Sequence, residues 1–195
     1  HRVKPRGIAL LVVSAGIVGA FIYGGVLVNH GFSAREDPSR LEAWTARRLR
    51  IMAIPSGARN LANPIPRSPE AIREGMQHFA DHCATCHANN GSGNTEIGRN
   101  LYPKAPDMRA AGTQNLSDGE IYYIIENGIR LSGMPAWGKS NDPNDAESWK
   151  LVHFIRHLPS LTPEEEQQMK QWNPVTPEEK QSEREEEEFL NGSES

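Results

Sequence analysis

Hydrophobic residues follow two different patterns along this chain of 195 residues. Near the start, residues 8–28 form an unbroken run of twenty-one residues without a charged side chain. Between residues 69 and 158, apolar positions instead recur every three or four residues, in short segments separated by glycines and prolines. The first pattern predicts one membrane-crossing helix, and the second predicts several amphipathic helices. No segment shows the polar–apolar alternation of a strand, so we expect an all-α fold.

The apolar run at residues 8–28 has the length of a membrane span. At about 1.5 Å per residue it can cross a hydrocarbon core about 30 Å thick. Arg2, Lys4 and Arg6 precede it, as basic residues also precede the apolar core of a cleaved signal peptide. Such a core is normally shorter, so we favour an uncleaved anchor after a basic cytoplasmic N-terminus at residues 1–7. Small residues four apart, such as Gly16 and Ala20, permit close approach of another helix, although lone anchors contain them too.

Three helices in the second region carry boundary signals of their own. Ser68-Pro69-Glu70 combines an N-cap, a proline in the first turn and an acidic residue beside it. Ser117 and Glu120 form a capping box before a helix for which Gly128 is the expected end. A third helix is predicted over residues 146–158, because a proline follows directly.

The two cysteines of the chain lie in the segment Cys83-Ala84-Thr85-Cys86-His87. A C-x-x-C pair by itself also occurs in redox dithiols, zinc sites and disulfides. The histidine that follows directly favours covalent attachment of a c-type haem, in which both thiols add to haem vinyl groups and the imidazole ligates the iron. No second cysteine pair is available to complete a zinc site.

The iron of an electron carrier needs a sixth ligand, and methionine opposite histidine raises the reduction potential. Met134 is the preferred candidate, because it lies between Gly133 and Pro135 in a glycine-rich stretch after a predicted helix. Met108, in a proline-rich loop, is the alternative. Of the other methionines, Met76 is expected in the core, and two lie outside the haem-binding segment: Met52 and Met169.

Two pairs of histidines have helical i,i+4 spacing and raise the question of a second metal site. They are His78 with His82 and His153 with His157. Neither pair has a cysteine or carboxylate partner at metal-ligand spacing, so we interpret all four as ordinary surface histidines.

Together, these features resemble a class I c-type cytochrome over residues 69–160. The resemblance rests on the cysteine–histidine segment, on Met134-Pro135-Ala136-Trp137, on Gly75 and Phe79 in the first helix, and on Trp149 and Phe154 in the last. It implies a small cytochrome c-like all-α domain around one covalent haem c. It also implies that the first and last helices cross at Gly75, with Phe79 and Phe154 packed there.

The same resemblance implies a ligand set. Cys83 and Cys86 would hold the haem covalently, with His87 and Met134 as axial iron ligands. The carbonyl of Pro103 or Pro106 would orient the His87 ring, and the choice between them stays open. Further pocket residues are expected at Tyr102, Ile125 and Trp137.

The resemblance implies one-electron transfer without catalysis at the iron, because both axial positions are filled. The expected location is the bacterial cytoplasmic (inner) membrane, with the haem domain in the periplasm and redox partner proteins in a respiratory or photosynthetic complex. The alternative is an electron-feeding component of a periplasmic dehydrogenase or peroxidase-type enzyme. No nucleic-acid site and no small-molecule substrate at the iron is predicted.

Two segments flank the predicted haem domain. The linker at 29–68 is expected to contain a helix from Asp37-Pro38-Ser39 to about residue 51, followed by an extended proline-rich stretch. Its apolar positions suggest either a spacer on the lipid surface or a docking element: Leu41, Trp44, Leu49 and Met52. The tail at 161–195 holds eleven acidic and three basic residues. We expect it to be a solvated extension, with binding to a basic partner surface as the alternative.

Overall fold

A computed structural model gives the fold, and it describes residues 5–31, 33–139, 145–175 and 181–182. These residues contain helices and no strand, as predicted. They divide into two compact units, His1–Glu36 and Asp37–Ser195. The α-helices, in chain order, are α1 (Pro5–His30), α2 (Arg40–Ala53), α3 (Ser56–Arg59), α4 (Pro69–His78), α5 (Ala84–His87), α6 (Glu96–Asn100), α7 (Ala111–Gln114), α8 (Asp118–Asn127), α9 (Ala146–His157) and α10 (Pro163–Met169).

The first unit consists of α1, the predicted apolar helix. Its segment Gly7–Val26 is the one helix in the described part of the chain that is long and apolar enough to cross a membrane. The apolar side chains described along it are exposed, so the unit itself offers them no protein partner. Arg2 and Lys4 of the predicted basic N-terminus lie outside the described residues.

The core of the second unit is the crossing of α4 with α9, as the resemblance implied. A Cβ atom on Gly75 would lie 2.2 Å from the carbonyl oxygen of Lys150, so only glycine permits this approach. The rings of Phe79 and Phe154 pack beside the crossing, with their centroids 5.1 Å apart. Both rings are fully buried, and Trp149 stacks on Tyr122 in the same cluster.

The boundary signals of the three predicted helices are confirmed. The Ser68 hydroxyl accepts a hydrogen bond from the backbone N–H of Ala71 at the start of α4. Ser117 and Glu120 form the capping box of α8, and Gly128 ends that helix with φ of 64°. The third helix, α9, begins after Asp145 and continues beyond His157 as a 3₁₀ turn over Leu158–Ser160.

The helix that begins with α4 continues to the end of the cysteine–histidine segment. Between α4 and α5 lies a π-helical segment, Phe79–Cys83, whose wider turns contain more residues than an α-helix. The helix stops after His87, because Ala88 takes a left-handed φ of 60°.

Residues 161–173 differ from the solvated tail that the charge balance suggested. Thr162 and Glu165 form a capping box for α10, and a 3₁₀ turn over Lys170–Trp172 follows it. Met169, at the end of α10, is 0% exposed and belongs to the core. The folded domain therefore extends past residue 160, because a local cap and one buried methionine outweigh the surrounding charge. Residues 176–180 and 183–195, where most of the predicted acidic tail falls, lie outside the described residues.

The linker forms helices α2 and α3. Ser39 caps α2, close to the predicted start, and Ile54 at the end of the helix is buried. The stretch expected to be extended after it contains α3, where Ala58 approaches α8 so closely that its carbonyl oxygen would lie 2.0 Å from a Cβ on Gly119. The apolar side chains predicted as contacts are each more than half exposed: Leu41, Trp44, Leu49 and Met52.

Candidate functional site

The cysteine–histidine segment ends the long helix of the second unit. Cys83 closes the π-helical segment, and Cys86 lies three residues later in α5, on the same helix face. The two thiols are not bonded to each other. Burial raises the pKa of Cys83 to about 12 and also raises the pKa of Cys86, so both thiols are protonated at neutral pH. Two free thiols on one helix face suit a double thioether attachment.

His87 is buried at the end of α5, with 7% of its surface exposed. Its ring lies 6.4 Å from that of Phe79, measured between centroids. Burial lowers the pKa of His87 to about 4, so the imidazole is neutral at pH 7 and keeps the lone pair that a metal ligand needs. Its Nδ1 atom is buried without a hydrogen-bond partner.

The loop after His87 packs onto it by backbone contacts. The N–H of Gly93 donates to the carbonyl oxygen of His87 (2.8 Å), and a Cβ on Gly93 would lie 2.4 Å from the carbonyl oxygen of Ala105. Pro106 is close to the same glycine, its carbonyl oxygen 3.1 Å from that Cβ position. Because Nδ1 of His87 has no partner, neither Pro103 nor Pro106 accepts the expected hydrogen bond in this structure.

Met134 is half-buried in a loop that follows α8. The backbone closes this loop: the N–H of Ile129 donates to the carbonyl oxygen of Met134 (3.1 Å), and the N–H of Trp137 donates to that of Ile125 (3.0 Å). Gly128 allows the fold-back, since a Cβ there would lie 2.6 Å from the Met134 carbonyl oxygen. We call residues 128–138 the Met134 loop.

The other four methionines have different environments. Met76 and Met169 are buried in the core, and Met108 packs against the core from the loop between α6 and α7. Met52 is exposed on α2. Met134 is thus the one methionine that is neither a core residue nor on the linker helix.

Two sets of contacts bring the cysteine–histidine segment and the Met134 loop together. On one side, His82 and Trp137 pack edge to face, with centroids 5.4 Å apart. On the other, Gly98 of α6 lies against Cys86, whose carbonyl oxygen would be 2.3 Å from a Cβ on that glycine. Three residues further on, the side chain of Leu101 lies against Gly133.

Several apolar side chains near these contacts are exposed to different extents. Leu131, in the Met134 loop, is 94% exposed and has a left-handed φ of 62°. Ile97, Tyr102 and Trp137 are also exposed, whereas Ile125 is buried. An exposed leucine held in an unfavourable backbone conformation, in a loop that packs near two free thiols and a neutral buried imidazole, fits a large apolar group with a metal centre. The residues present therefore fit a haem.

The histidine pairs have structural roles. The rings of His78 and His82 stack on each other, 4.7 Å apart. His153 is buried and contacts the carbonyl oxygen of Ile65 through Nε2 (2.7 Å), so it is not the surface residue we expected. His157 pairs with Glu165 (2.9 Å). Within the described ranges, no group of three or more His, Cys, Asp or Glu side chains could hold a metal ion.

One contact close to the candidate site was not predicted from the sequence. Asn173 donates through Nδ2 to the carbonyl oxygen of Ala80 (3.0 Å) and to the side chain of Asn89 (3.0 Å), so it bridges the π-helical segment and the turn after His87. The capping box at Thr162 and the apolar pair Met169 and Trp172 were the available signals that this segment folds back.

Comparisons with known proteins find relatives of this domain. The family model for cytochrome c oxidase, cbb3-type, subunit III matches residues 70–155. The chain is 29% identical to the cbb3-type cytochrome c oxidase subunit FixP of Azorhizobium caulinodans over 156 residues, which are 69% of this chain and 48% of that protein. It is 34% identical to the FixP subunit of Sinorhizobium medicae over 92 residues, 46% of this chain and 29% of that protein. The chain thus matches about half or less of the length of these relatives.

Proposed function

We propose that this chain, a membrane-anchored c-type cytochrome, carries single electrons as a subunit of a respiratory oxidase complex. The observation that carries this proposal is the buried, neutral His87 directly after two free thiols on one helix face. The names of the relatives, cbb3-type oxidase subunits, support the kind of complex.

In this proposal Cys83 and Cys86 would hold haem c covalently, and His87 and Met134 would ligate its iron. Haem c, when bound, supplies a one-electron iron couple whose potential depends on these ligands. The backbone hydrogen bonds of the Met134 loop hold the sulfur atom of Met134 in place, and Phe79 orients His87 by packing against it. Leu131 and Trp137, both exposed in the chain alone, would shield the haem from water.

With His87 and Met134 both holding the iron, no substrate would have access to it, and the chain would act as a carrier rather than an enzyme. We further propose that residues 8–28 anchor the chain in the bacterial cytoplasmic membrane and that one haem is bound. The domain from residue 69 onward faces the periplasm, where c-type haem attachment takes place in the family that the sequence resembles.

Spectra of matched methionine variants test the ligand set. In the reduced and oxidised protein, Met134→Ala should abolish the low-spin His/Met spectrum, because the other methionines pack in or against the core or lie on α2. Met108→Ala is the control and should keep that spectrum. An unchanged spectrum in Met134→Ala, or its loss in Met108→Ala, contradicts the assignment.

Two further measurements test the covalent attachment of haem and the access of small molecules to its iron. The double variant Cys83→Ser, Cys86→Ser should lose haem staining under denaturing conditions, since no thioether can form. The reduced, unmodified protein should not bind carbon monoxide. Binding would instead favour an open iron and the alternative, an enzyme component.

Purification from native membranes in mild detergent tests the assignment to a complex. Stoichiometric co-purification with oxidase chains is expected for a fixed subunit. Recovery of the haem protein alone would contradict it and indicate a tethered shuttle.

A further inference from the structure

Helix α2 presents a largely apolar face that the second unit does not cover. At about 100° per residue, Leu41, Leu49 and Met52 fall within one sector about 80° wide, and Thr45 is the one polar residue between them. All four are exposed, as is Trp44 beside the sector. This face is called the outer face of α2 below.

Contacts at both ends of α2 fix the helix to the domain, so the outer face cannot turn inward. Ile54 is buried just beyond the end of the helix, and the guanidinium of Arg59 donates to the carbonyl oxygen of Ile51. Near its start, Glu42 accepts a hydrogen bond from the Tyr102 hydroxyl. Asp37, just before the helix, pairs with Lys104 at 2.7 Å.

The charges of α2 identify the chemistry of its partner. The helix contains three exposed arginines, one half-buried arginine and a single glutamate. The Arg48 guanidinium lies over the Trp44 ring, 5.7 Å from its centroid. A basic helix with an apolar stripe and a tryptophan beside it is typical of helices that lie in the interface of an anionic bilayer.

The chain connection keeps α2 close to such a surface. Only residues 31–39 separate the end of α1 from the start of α2. Nine residues span at most about 32 Å when fully extended. A weakly binding interfacial helix so close to an anchor is held at high effective concentration near the lipid.

We propose that α2 lies in the lipid–water interface, with Leu41, Leu49 and Met52 inserted among the acyl chains of an anionic membrane. The acidic C-terminal segment is a less suitable occupant, because its charge would match the arginines but residues 176–195 contain few apolar side chains for the outer face. Since Glu42 and Asp37 contact Tyr102 and Lys104, lipid binding by α2 also sets the orientation of the loop that carries those residues. The proposal is independent of the haem assignment.

Depth-dependent fluorescence quenching tests the proposal on the full chain. Leu41→Cys and Met52→Cys, labelled with a small environment-sensitive fluorophore, place a probe on the outer face. Ala46→Cys, on an exposed flank of α2, and Glu166→Cys, on α10, are matched controls. Each protein is reconstituted in vesicles of phosphatidylcholine and phosphatidylglycerol, and the unsubstituted chain measures background labelling.

Probes at residues 41 and 52 should be quenched by spin-labelled acyl chains at least about twofold more than the controls, and by aqueous iodide correspondingly less. The difference should shrink in vesicles of phosphatidylcholine alone, because the arginines lose their anionic partner. Equal quenching at residues 41, 52 and 166 overturns the proposal.

Protection from iodide without quenching by lipid also overturns it and indicates a protein partner. Restored iodide access after removal of residues 176–195 would then identify the acidic segment as the occupant.

Discussion

The crossing of α4 and α9 and the Met134 loop lie in the same domain but are completed in different ways. At the crossing, Gly75 lets two backbones meet, and the protein buries Phe79 and Phe154 without help. In the Met134 loop, backbone hydrogen bonds fix the chain while Leu131 remains 94% exposed. The first region is therefore a hydrophobic core that the protein completes by itself. The second is a hydrogen-bonded loop with an apolar side that the chain itself does not cover.

The largest effect is expected at the crossing. Gly75→Ala would place a Cβ 2.2 Å from the Lys150 carbonyl oxygen, which is backbone and cannot move aside. We expect a loss of at least about 3 kcal/mol in the free energy of unfolding, the upper range for overpacked cores, or failure to fold. Guanidinium denaturation of the holoprotein in detergent, followed by circular dichroism, measures it.

Gly112→Ala is the control for that substitution, because nothing lies within 4 Å of a Cβ at Gly112. Its stability should be unchanged or higher by up to about 1 kcal/mol, as alanine favours helix. Similar losses in the two variants would show that the α4–α9 contact is not the cause.

A smaller effect is expected where the C-terminal segment joins the core. Met169→Ala should lower the free energy of unfolding by about 2–5 kcal/mol, since it empties a fully buried site. Met52→Ala, at an exposed site, should change it by less than about 0.5 kcal/mol. The same denaturation experiment compares the two, and equal effects would mean that α10 is not part of the folded domain in solution.

The Met134 loop gives a test of what covers it. If haem lies over Leu131, Leu131→Ala should destabilise the holoprotein by about 1–2 kcal/mol, the value for burying most of a leucine side chain. Val175→Ala, another exposed apolar site, should leave the unfolding midpoint unchanged. Equal unfolding midpoints for the Leu131 and Val175 variants would show that haem does not cover Leu131.

The smallest effect concerns pH. Burial alone would raise the pKa of Glu165, but hydrogen bonds from the Thr162 backbone and from His157 outweigh it and lower the pKa. A lowered carboxyl pKa adds stability that is complete above the unfolded value, about 4.3, and is lost as the pH falls through the folded value. Glu165→Gln should therefore cost about 0.5 kcal/mol at pH 7 and less in acid. Melting curves from neutral to acid pH measure this cost. A stability difference between the Glu165→Gln variant and the unsubstituted protein that grew on acidification would contradict the prediction.

Local signals predicted much of this fold. The caps at Ser68 and Ser117 were readable because each depends on residues within three positions of the helix start. The contact of Gly75 with α9 is long-range and was expected only through the resemblance to a cytochrome. The packing of α10 was missed because a charge count over residues 162–195 conceals one cap and one buried methionine.

The candidate site was also predictable only where its signals are local in sequence. Cys83, Cys86 and His87 are adjacent in sequence, so their chemistry is visible before any fold is known. The surroundings of His87 depend on how a distant loop packs, and the structure leaves its Nδ1 without the predicted proline partner. Ligation by Met134 remains a proposal that the methionine variants decide.

The π-helical segment Phe79–Cys83 restricts how this chain can change in length. An added or removed residue turns everything after it by about 100° around the helix axis. The wide turns set the angle between the ring of Phe79, in the core, and the thiols and imidazole that follow. Deleting exposed Asp81 would leave every functional side chain present and aim all of them in a different direction. At an exposed position of this stretch such as Asp81, substitutions are tolerable where insertions and deletions are not, and a homologue of different length here must compensate elsewhere.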